Sequence, residues 1–304
     1  MTARSKTTIV TGATQGLGRA IARTLTTLPD QHVVLAVRDV GRGAEVAREL
    51  GGRAEVRRLD CASLTDVRRF VAEWQGPLHG LVNNAGVQQV AGTRLSADGF
   101  EETIAVNHVA ATALTVGLLP RLEGGRVVFI GSGTHNPENR TATIFGFRGA
   151  RFTSIEALAR GDADGPSDRQ RGFDRYATSK LLNMLTAMEL ARRVPAERTA
   201  FFTLDPGLMA GTGLARTAPA PVRLLWSTAL RWISPLLPDT STPERSAAAA
   251  AWLLDDPDVV ARSGEVFDFE RKPSRRVWPA ARDPELSRRA LDETLALLGT
   301  SLPA

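Results

Sequence analysis

Tyr176 and Lys180 are the two residues whose types and spacing point most directly to proton chemistry. They stand four residues apart in a stretch with helical periodicity, and Tyr176 is the only tyrosine of the chain. Residues i and i+4 share one face of a helix, so the lysine ammonium lies beside the phenol. A neighbouring cation favours the ionised form of a tyrosine, whose ordinary pKa is about 10. The spacing predicts a tyrosine that exchanges protons near neutral pH, with an ordinary exposed helix pair as the alternative.

A glycine-rich turn near the start of the chain is a candidate dinucleotide site. Residues 11–18 have the sequence Thr-Gly-Ala-Thr-Gln-Gly-Leu-Gly and join a predicted strand to a predicted helix. Glycine lets the backbone approach a ligand closely, and the helix N-terminus attracts a pyrophosphate. The spacing differs from Gly-x-Gly-x-x-Gly, and glycine-rich turns are common after strands. The candidate contacts are Gly12, Thr14, Gln15, Gly16, Leu17 and Gly18.

The end of the second predicted strand indicates which dinucleotide would bind. Arg38 stands where a cation would hold a 2'-phosphate, whereas a free 2'-hydroxyl is usually bound by a carboxylate. This favours NADP(H), with Arg42 as a possible second cation. Asp39 lies next to Arg38 in the sequence. If Arg38 only faces solvent, the choice between NAD(H) and NADP(H) stays open. After the third predicted strand, Asp60 is a candidate acceptor for the adenine amino group, or else a helix cap, and Cys61 is a further candidate contact.

The elements that position these residues alternate along the chain. Short β-branched segments alternate with longer helical periods, which predicts an α/β fold with a Rossmann-type, doubly wound parallel sheet of about seven strands and helices on both faces. The ligand crevice of such a sheet lies at the carboxyl ends of its strands. Strands are predicted at 7–11, 32–37, 55–59, 80–83, 126–131, 199–204 and 264–267. Helices are predicted at 16–28, 41–50, 63–74, 99–119, 173–193, 243–254 and 282–298.

Composition indicates one catalytic domain over 1–304. Hydrophobic residues make up 43% of the chain and charged residues 23%, and the net charge of +5 comes from scattered arginines, which favours solvated helix faces over a nucleic-acid surface. The single cysteine excludes an intrachain disulfide and a zinc–cysteine cluster. No segment has the ~18 uninterrupted apolar residues of a spanning helix, and the closest, 224–237, is interrupted. We expect a cytoplasmic protein without an integral membrane segment.

Two insertions, at about 134–172 and 208–242, follow the fifth and sixth predicted strands. Long excursions at this edge of a sheet often bind ligands. The first is either a substrate-side lid or a surface loop. The second contains Trp226 and Trp232, which would roof an apolar pocket, contact another subunit or touch a membrane surface.

Over about residues 6–269 the chain resembles the classical short-chain dehydrogenase/reductase family. The resemblance is carried, in order, by the glycine turn, Asn83-Asn84-Ala85-Gly86, Asn107, Ser132, Tyr176-x-x-x-Lys180 and Asp205-Pro206-Gly207. It implies that Ser132 binds the substrate oxygen, that Lys180 holds the nicotinamide ribose and that Asn107 holds a water for proton supply. It also implies an adenosine-side role for Asn84, Ala85 and Gly86, a nicotinamide-side role for Pro206, Gly207 and Met209, and a structural role for Asn83 in tying the central strands together.

Within this family, Ala36-Val-Arg-Asp39 and Tyr176-Ala-Thr-Ser-Lys-Leu-Leu-Asn183 resemble the retinol dehydrogenase and protochlorophyllide reductase-like branch. That branch implies NADP(H) and a bulky, apolar carbonyl or alcohol; the family also implies a homodimer or homotetramer. Two features depart from the family: the 134–172 insertion separates Ser132 from Tyr176, and Gly133 replaces a second serine. Thr134 and Ser154 are weaker candidates for the serine role.

The predicted activity is hydride transfer between nicotinamide and a carbonyl or alcohol, with Tyr176 as acid and base and without a metal. Two alternatives stay open: reduction of an activated C=C bond, and a regulatory protein that binds NADP(H) without turnover. His79, His108 and His135 lack triad or metal spacing, so we expect them to be hydrogen-bonded structural residues.

Overall fold

The computed structural model describes residues 6–209 and 239–303. Seven parallel strands form one sheet in the order β3-β2-β1-β4-β5-β6-β9, and a short parallel pair, β7-β8, lies apart from it. The strands are β1 (Lys6–Thr11), β2 (Gln31–Val37), β3 (Ala54–Arg58), β4 (Gly80–Asn83), β5 (Gly125–Ile130), β6 (Thr199–Asp205), β7 (Leu208–Met209), β8 (Thr240–Ser241) and β9 (Val266–Asp268). The predicted fold class is confirmed, and each predicted strand is displaced by no more than two residues at either end.

Helices cover both faces of the sheet, and polar caps set where several of them begin. Asp39, Ser63 and Ser167 accept backbone N–H bonds at the starts of α2, α3 and α8. Because Ser167 caps α8, this helix begins five residues before the predicted 173. The helices are α1 (Gly16–Thr26), α2 (Val40–Glu49), α3 (Leu64–Ala72), α4 (Glu102–Ile104), α5 (Ala110–Leu118), α6 (Arg140–Ile144), α7 (Ile155–Arg160), α8 (Asp168–Arg193), α9 (Pro243–Asp255) and α10 (Pro284–Leu298).

Alternate residues of the central strands face the two helix layers. In β2, Val33 and Leu35 join the core that contains α1, α2 and α9, whereas Val34 and Ala36 join the core that contains α3, α5, α8 and α10. Successive side chains of a strand point to opposite faces. Because both faces are covered, these strands are apolar almost throughout, as parallel strands usually are.

The predicted helix 99–119 is interrupted where Asn107 lies. Residues Ala105–Val109 form a π-helical turn between α4 and α5, a distortion that is frequent at functional sites. Among the described residues, the combined helix Glu102–Arg121 is the single stretch long and apolar enough to cross a membrane, but 83% of its apolar window is buried inside the fold. This helix is therefore explained as a core helix.

The first insertion, 134–172, is ordered and contains α6 and α7. Its Phe147 ring stacks on Phe173 at 4.7 Å between centroids and lies 6.0 Å from the Tyr176 ring. Arg148 forms an ion pair with the buried Asp174. The insertion is thus attached to the first turns of α8. Most of the second insertion, including Trp226 and Trp232, lies outside the described residues, and the one-domain organisation stays a prediction.

We expect Phe147→Ala to lower the free energy of unfolding by about 3 kcal/mol or more, because it removes a buried ring and leaves a cavity against Phe173. Ile144→Ala is the matched control, since Ile144 is 81% exposed and a surface truncation changes stability by about 0.5 kcal/mol or less. Urea unfolding of both variants measures the difference. Equal losses in the two variants would contradict this packing role of the insertion.

Candidate active site

The glycine turn lies where the strand order reverses, between β1 and β4. Gly12 and Gly16 have φ angles of +66° and +55°, which side chains rarely adopt. A Cβ on Gly18 would lie 2.4 Å from Asn84 Nδ2 and 2.6 Å from the Gly12 carbonyl oxygen. Asn84 Nδ2 also donates to the Thr11 carbonyl at 2.8 Å. The turn is therefore closed by the side chain that follows β4, at the usual ligand-binding point of this fold.

Asn83 has the predicted structural position, because its backbone pairs with Phe129 of the central strand β5. Its side-chain amide donates instead to Thr115 Oγ1 of α5 at 2.9 Å, so the side chain ties β4 to a helix. Beyond the backbone ladder of β1 and β4, the ends of these strands are joined by Asn84 and by Thr11 Oγ1, which accepts the backbone N–H groups of Asn84 and Ala85 at 2.9 Å.

The turn fits the pyrophosphate of a dinucleotide. The side chain of the N-cap residue Gln15 accepts no N–H from the first turn of α1, and that turn has no acidic residue. A Cβ on Gly16 would meet no atom within 4 Å, so the space over the turn is open. Free N–H groups at a helix N-terminus bind anions. Thr14, Gln15 and Gly16 border this space, whereas the Leu17 side chain is buried in the core, so Leu17 would contact a ligand only through its backbone.

At the end of β2, Arg38 and Asp39 have different environments. Arg38 is exposed and forms no hydrogen bond or ion pair with any described residue. Asp39 caps α2 by accepting the Arg42 N–H at 3.0 Å and pairs with the Arg42 guanidinium at 3.4 Å. Asp39 and Arg42, the predicted second cation, thus pair with each other on α2, in an ion pair that is exposed to solvent. Arg38 is the described cation at this strand end that forms no such pair.

The loop after β3 is shaped by Asp66, which sequence reasoning did not select. Asp66 Oδ2 accepts the Asp60 N–H at 2.6 Å, and the Asp60 carboxylate accepts the Ala62 N–H at 3.0 Å. The cap of α3 is Ser63, so the alternative of Asp60 as that cap is wrong. Burial and the neighbouring carboxylates raise the pKa of the half-buried Cys61 to about 12, so its thiol stays protonated.

Tyr176 and Lys180 occupy one face of α8, above the end of β5. Lys180 Nζ lies 5.5 Å from the centroid of the Tyr176 ring and donates to the Ile130 carbonyl at 3.1 Å. Asn183, one turn further, donates to the same carbonyl at 3.3 Å. The sheet edge thereby fixes the rotation of α8. An ammonium has three N–H donors, and Ile130 accepts one of them.

The predicted lowering of the tyrosine pKa is wrong for the ligand-free protein. Burial and, second, the charge of Asp205 raise the pKa of Tyr176 to about 12, and burial lowers the pKa of Lys180 to about 8. Both groups lose hydration, which disfavours their charged forms. At neutral pH the phenol is protonated and the amine is mostly protonated. In the ligand-free protein Tyr176 therefore carries its proton at neutral pH.

Ser132, the predicted ligand of the substrate oxygen, follows β5 and is half-buried. Its Oγ accepts the Thr134 N–H at 3.3 Å and the Thr134 hydroxyl at 3.1 Å. The hydrogen of Ser132 is therefore left for another acceptor, and Thr134 supports the serine. Ser154 caps α7 instead. A side chain at position 133 would be crowded, because a Cβ there would lie 2.6 Å from Asn139 Nδ2 and 3.1 Å from Arg276 Cδ.

Asn107 holds the loop after β4 against α8. Its Oδ1 accepts the Val87 N–H at 2.7 Å, and its Nδ2 donates to the Val87 carbonyl and to Ser179 Oγ, each at 3.0 Å. These bonds join the helix to the loop after β4 and to α8. A Cβ on Gly86 would lie 3.3 Å from Asn107 Oδ1 and 3.7 Å from Lys180 Nζ. The backbone of Gly86 thus lies close to the amide of Asn107 and to the ammonium group of Lys180.

The turn after β6 carries Pro206 and Gly207. Gly207 has a φ angle of +71°, and its N–H donates to Asp205 Oδ1 at 3.1 Å. The Pro206 carbonyl accepts the Ser246 hydroxyl at 2.8 Å. Met209 is buried in β7. These contacts fix the predicted nicotinamide-side turn to α9.

A network around Arg276 was missed from the sequence. Arg276 Nε donates to Asp205 Oδ2 at 2.7 Å, and Nη1 donates to Asp239 Oδ1 at 2.8 Å. The Arg276 carbonyl accepts Asn136 Nδ2 at 3.1 Å. The three charged residues lie far apart in the sequence and have no spacing motif. The one sequence signal for this network was the position of Asp205, just before Pro206 at the end of a predicted strand.

Three of the four histidines, His79, His108 and His135, are hydrogen-bonded within the fold. His135 donates from Nδ1 to the Ser132 carbonyl at 2.6 Å, and its Nε2 accepts the Trp278 N–H at 3.1 Å. Because a backbone N–H only donates, these bonds define a neutral tautomer, and burial lowers the pKa of His135. His79 bonds to the Leu254 carbonyl and His108 to a threonine hydroxyl. His135 thereby fixes the serine turn to the C-terminal segment.

A cavity of about 450 Å³ lies on the other side of α8. Its lining includes Arg175, Thr178 and Leu181 of this helix, together with Phe152 and Trp278. Residues 175, 178 and 181 face away from Tyr176 and Lys180 on a helix of 3.6 residues per turn. This cavity is therefore separate from the proton-transfer pair.

Comparison with known proteins agrees with this geometry. The family model for short chain dehydrogenases matches residues 6–144. Protochlorophyllide reductase B of Oryza sativa subsp. japonica is 30% identical over 98% of this chain and 78% of its own length. Polyprenol dehydrogenase of Mus musculus is 35% identical over 96% of this chain and 83% of its own.

A crystal structure of an uncharacterised protein of Mycobacterium paratuberculosis has the same fold. It is 28% identical, with a TM-score of 0.69 over 99% of this chain and 96% of that one. The resemblance to the retinol dehydrogenase and protochlorophyllide reductase-like branch is thus confirmed. The chain belongs to the short-chain dehydrogenase family of oxidoreductases, enzymes that use a nicotinamide dinucleotide.

Proposed function

We propose that the protein is an NADP(H)-dependent oxidoreductase that interconverts a carbonyl and an alcohol on a bulky, apolar small molecule. The observation that carries this proposal is the attachment of Lys180 to the carbonyl of Ile130, two residues before Ser132. This bond and the bond from Asn183 to the same carbonyl hold the helix of the proton donor against the serine turn, at the edge of the sheet where the glycine turn also lies.

When bound, the nicotinamide supplies a hydride for reduction or takes one up in oxidation. The chain provides the rest. Tyr176, protonated at neutral pH, donates its proton to the substrate oxygen as negative charge develops there. Ser132 uses its remaining hydrogen to bond the same oxygen and stabilise that charge. Lys180 has N–H donors for the ribose hydroxyls, and in oxidation its positive charge favours the ionised phenol.

The surroundings of Tyr176 support an apolar substrate. Phe147 and Phe173 form a stacked pair beside the phenol ring, in a cluster with Ala142, Ala177 and Val90. Ile144, at the end of α6, is 81% exposed. We propose that the first insertion acts as the substrate-side wall or lid, because it delivers Phe147 to the reacting end of the site.

The choice of NADP(H) rests on the strand end after β2. Arg38 is exposed and unpaired among the described residues, while Asp39 is engaged by the cap of α2 and by Arg42. A cation without a partner suits a 2'-phosphate, and an occupied carboxylate is poorly suited to bind a ribose hydroxyl. Binding of NADP(H) without turnover is disfavoured by the intact set of Ser132, Tyr176 and Lys180.

A second candidate reaction is the reduction of an activated C=C bond. It is favoured by the similarity to protochlorophyllide reductases over 98% of the chain. The Tyr176 proton would then go to carbon or to an enolate. Product structures after incubation with NADPH and panels of ketones and enones distinguish the two: allylic alcohols indicate carbonyl reduction, and saturated ketones indicate C=C reduction. A cytoplasmic location and a homodimer or homotetramer stay predictions.

Tyr176→Phe should reduce kcat by about 100-fold or more, because it removes the proton donor and leaves the ring. NADPH binding, followed by the fluorescence of the nicotinamide, should stay within about fivefold, since a lost neutral hydrogen bond is worth about 1 kcal/mol. Full turnover in this variant would overturn the mechanism.

Arg38→Ala should weaken NADPH binding by about 10- to 100-fold, the loss expected for a charge-assisted hydrogen bond to phosphate. NADH binding should change little. Arg42→Ala is the matched control: its guanidinium is already paired with Asp39, so we expect a smaller effect on NADPH. Equal weakening of NADPH and NADH by Arg38→Ala, measured by calorimetric titration, would refute the cofactor assignment.

A further inference from the structure

Ser132 and Thr134 form a pair of hydroxyls in the turn after β5. Ser132 is half-buried, whereas Thr134 is buried, with 8% of its surface exposed. The two hydroxyl oxygens lie 3.1 Å apart, and the Thr134 backbone nitrogen lies 3.3 Å from Ser132 Oγ. The bond from the backbone N–H is the one that a serine makes when it caps a turn. The bond between the two hydroxyls is additional to that cap.

The direction of this second bond follows from the burial of Thr134. Buried donors are almost always paired, and Ser132 Oγ is the acceptor that the described residues offer to the Thr134 hydroxyl. If Ser132 donated instead, the Thr134 hydrogen would be left without a described acceptor. The half-buried Ser132 has no such restriction, because it lies at the strand end where the ligand crevice opens. Thr134 therefore donates, and the Ser132 hydrogen is directed away from Thr134.

This arrangement leaves Ser132 as a donor alone. A hydroxyl has one hydrogen and two acceptor lone pairs, and the N–H and O–H groups of Thr134 occupy both lone pairs. A carbonyl oxygen or an alkoxide can accept the remaining hydrogen of Ser132. The hydroxyl hydrogen of a substrate alcohol, in contrast, finds no free lone pair on Ser132. In the oxidation direction that hydrogen is therefore left to Tyr176.

The turn that carries the two hydroxyls is fixed by other bonds. His135 Nδ1 donates to the Ser132 carbonyl at 2.6 Å, and His135 Nε2 accepts the Trp278 N–H at 3.1 Å. The Ala150 N–H donates to the His135 carbonyl at 2.8 Å. These bonds do not involve the Thr134 hydroxyl. We therefore expect its removal to free a lone pair of Ser132 without unfolding the turn.

We propose that Thr134 is a positioning residue of the redox site: its hydroxyl and its backbone N–H occupy the lone pairs of Ser132 and so direct the serine hydrogen to the substrate oxygen. Thr134 supplies no donor to the substrate, because its own hydrogen is used by Ser132. The effect on turnover rests on the function proposed above. The directions of the two hydrogens do not, because they are a property of the ligand-free protein.

A double-mutant cycle tests the effect on turnover, with NADPH and a ketone of the panel described above. Thr134→Val keeps the shape of the side chain and should lower kcat by about 5- to 10-fold, the effect of one lost hydrogen bond. Ser132→Ala should lower kcat by about 100-fold or more, because it removes the donor to the developing charge. Adding Thr134→Val to Ser132→Ala should cause little further loss, since Thr134 acts through Ser132. A merely structural role would give losses that multiply.

Two single variants serve as controls for this cycle. Thr134→Ser keeps the hydroxyl and should retain most of the turnover that Thr134→Val loses. Thr143→Val makes the same change at an exposed threonine of the first insertion, whose hydroxyl donates to the Asn139 carbonyl, and should leave kcat nearly unchanged. Unchanged kcat in Thr134→Val, or multiplied losses in the double variant, would show that Thr134 has no such role and would leave the proposed function intact. Full turnover in Ser132→Ala would instead remove the serine from the proposed mechanism, and this role of Thr134 with it.

Neutron diffraction from crystals of the perdeuterated, ligand-free chain measures the two hydrogen positions directly. The Thr134 deuterium should lie between the two hydroxyl oxygens, and the Ser132 deuterium should point away from Thr134. A Ser132 deuterium directed at Thr134 Oγ1 would contradict the proposal. This measurement decides the question even if Thr134→Val does not fold or if no ketone of the panel is reduced.

Discussion

The arrangement of the site depends on a buried lysine held by one carbonyl. Lys180 is 4% exposed, and its described hydrogen-bond partner is the Ile130 carbonyl at the end of β5. A buried ammonium with spare donors is costly, which is why burial lowers its pKa to about 8. Ligand hydroxyls at these donors would satisfy them. The same bond fixes the rotation of α8, and with it the position of Tyr176.

The pair functions differently from what its spacing alone suggests. Four residues on a helix bring an amine and a phenol together, but the spacing does not reveal how much water remains around them. In the ligand-free protein the loss of hydration has the larger effect, so the tyrosine pKa is raised to about 12. A protonated tyrosine suits reduction, in which the enzyme must deliver a proton.

Much of the framework was predictable because it depends on local patterns. The strand and helix periods gave the sheet and its order of elements, and the glycine turn, Asn84, Asn107, Ser132 and Lys180 each lie at a strand end or on the helix that follows. The predictions from sequence were wrong where contacts between distant residues determine the structure. Sequence does not show that Asn83 bonds to a helix, or that Ser167 starts α8 early. Arg276, Asp205 and Asp239 meet only because β6 and β9 are neighbours in the sheet. The conformation of the first insertion likewise depends on the packing of Phe147 against Phe173 and on the ion pair between Arg148 and Asp174.

A crystal structure of the protein with NADP⁺ tests the central claim most directly, because that claim concerns where the two ends of the dinucleotide lie. We predict the pyrophosphate over the Gly12–Gly16 turn, the 2'-phosphate at Arg38, and the nicotinamide ribose hydroxyls at Lys180 Nζ, with the ring between Ser132 and Pro206. A dinucleotide whose 2'-phosphate lies away from Arg38, or whose ribose does not contact Lys180, would contradict the account.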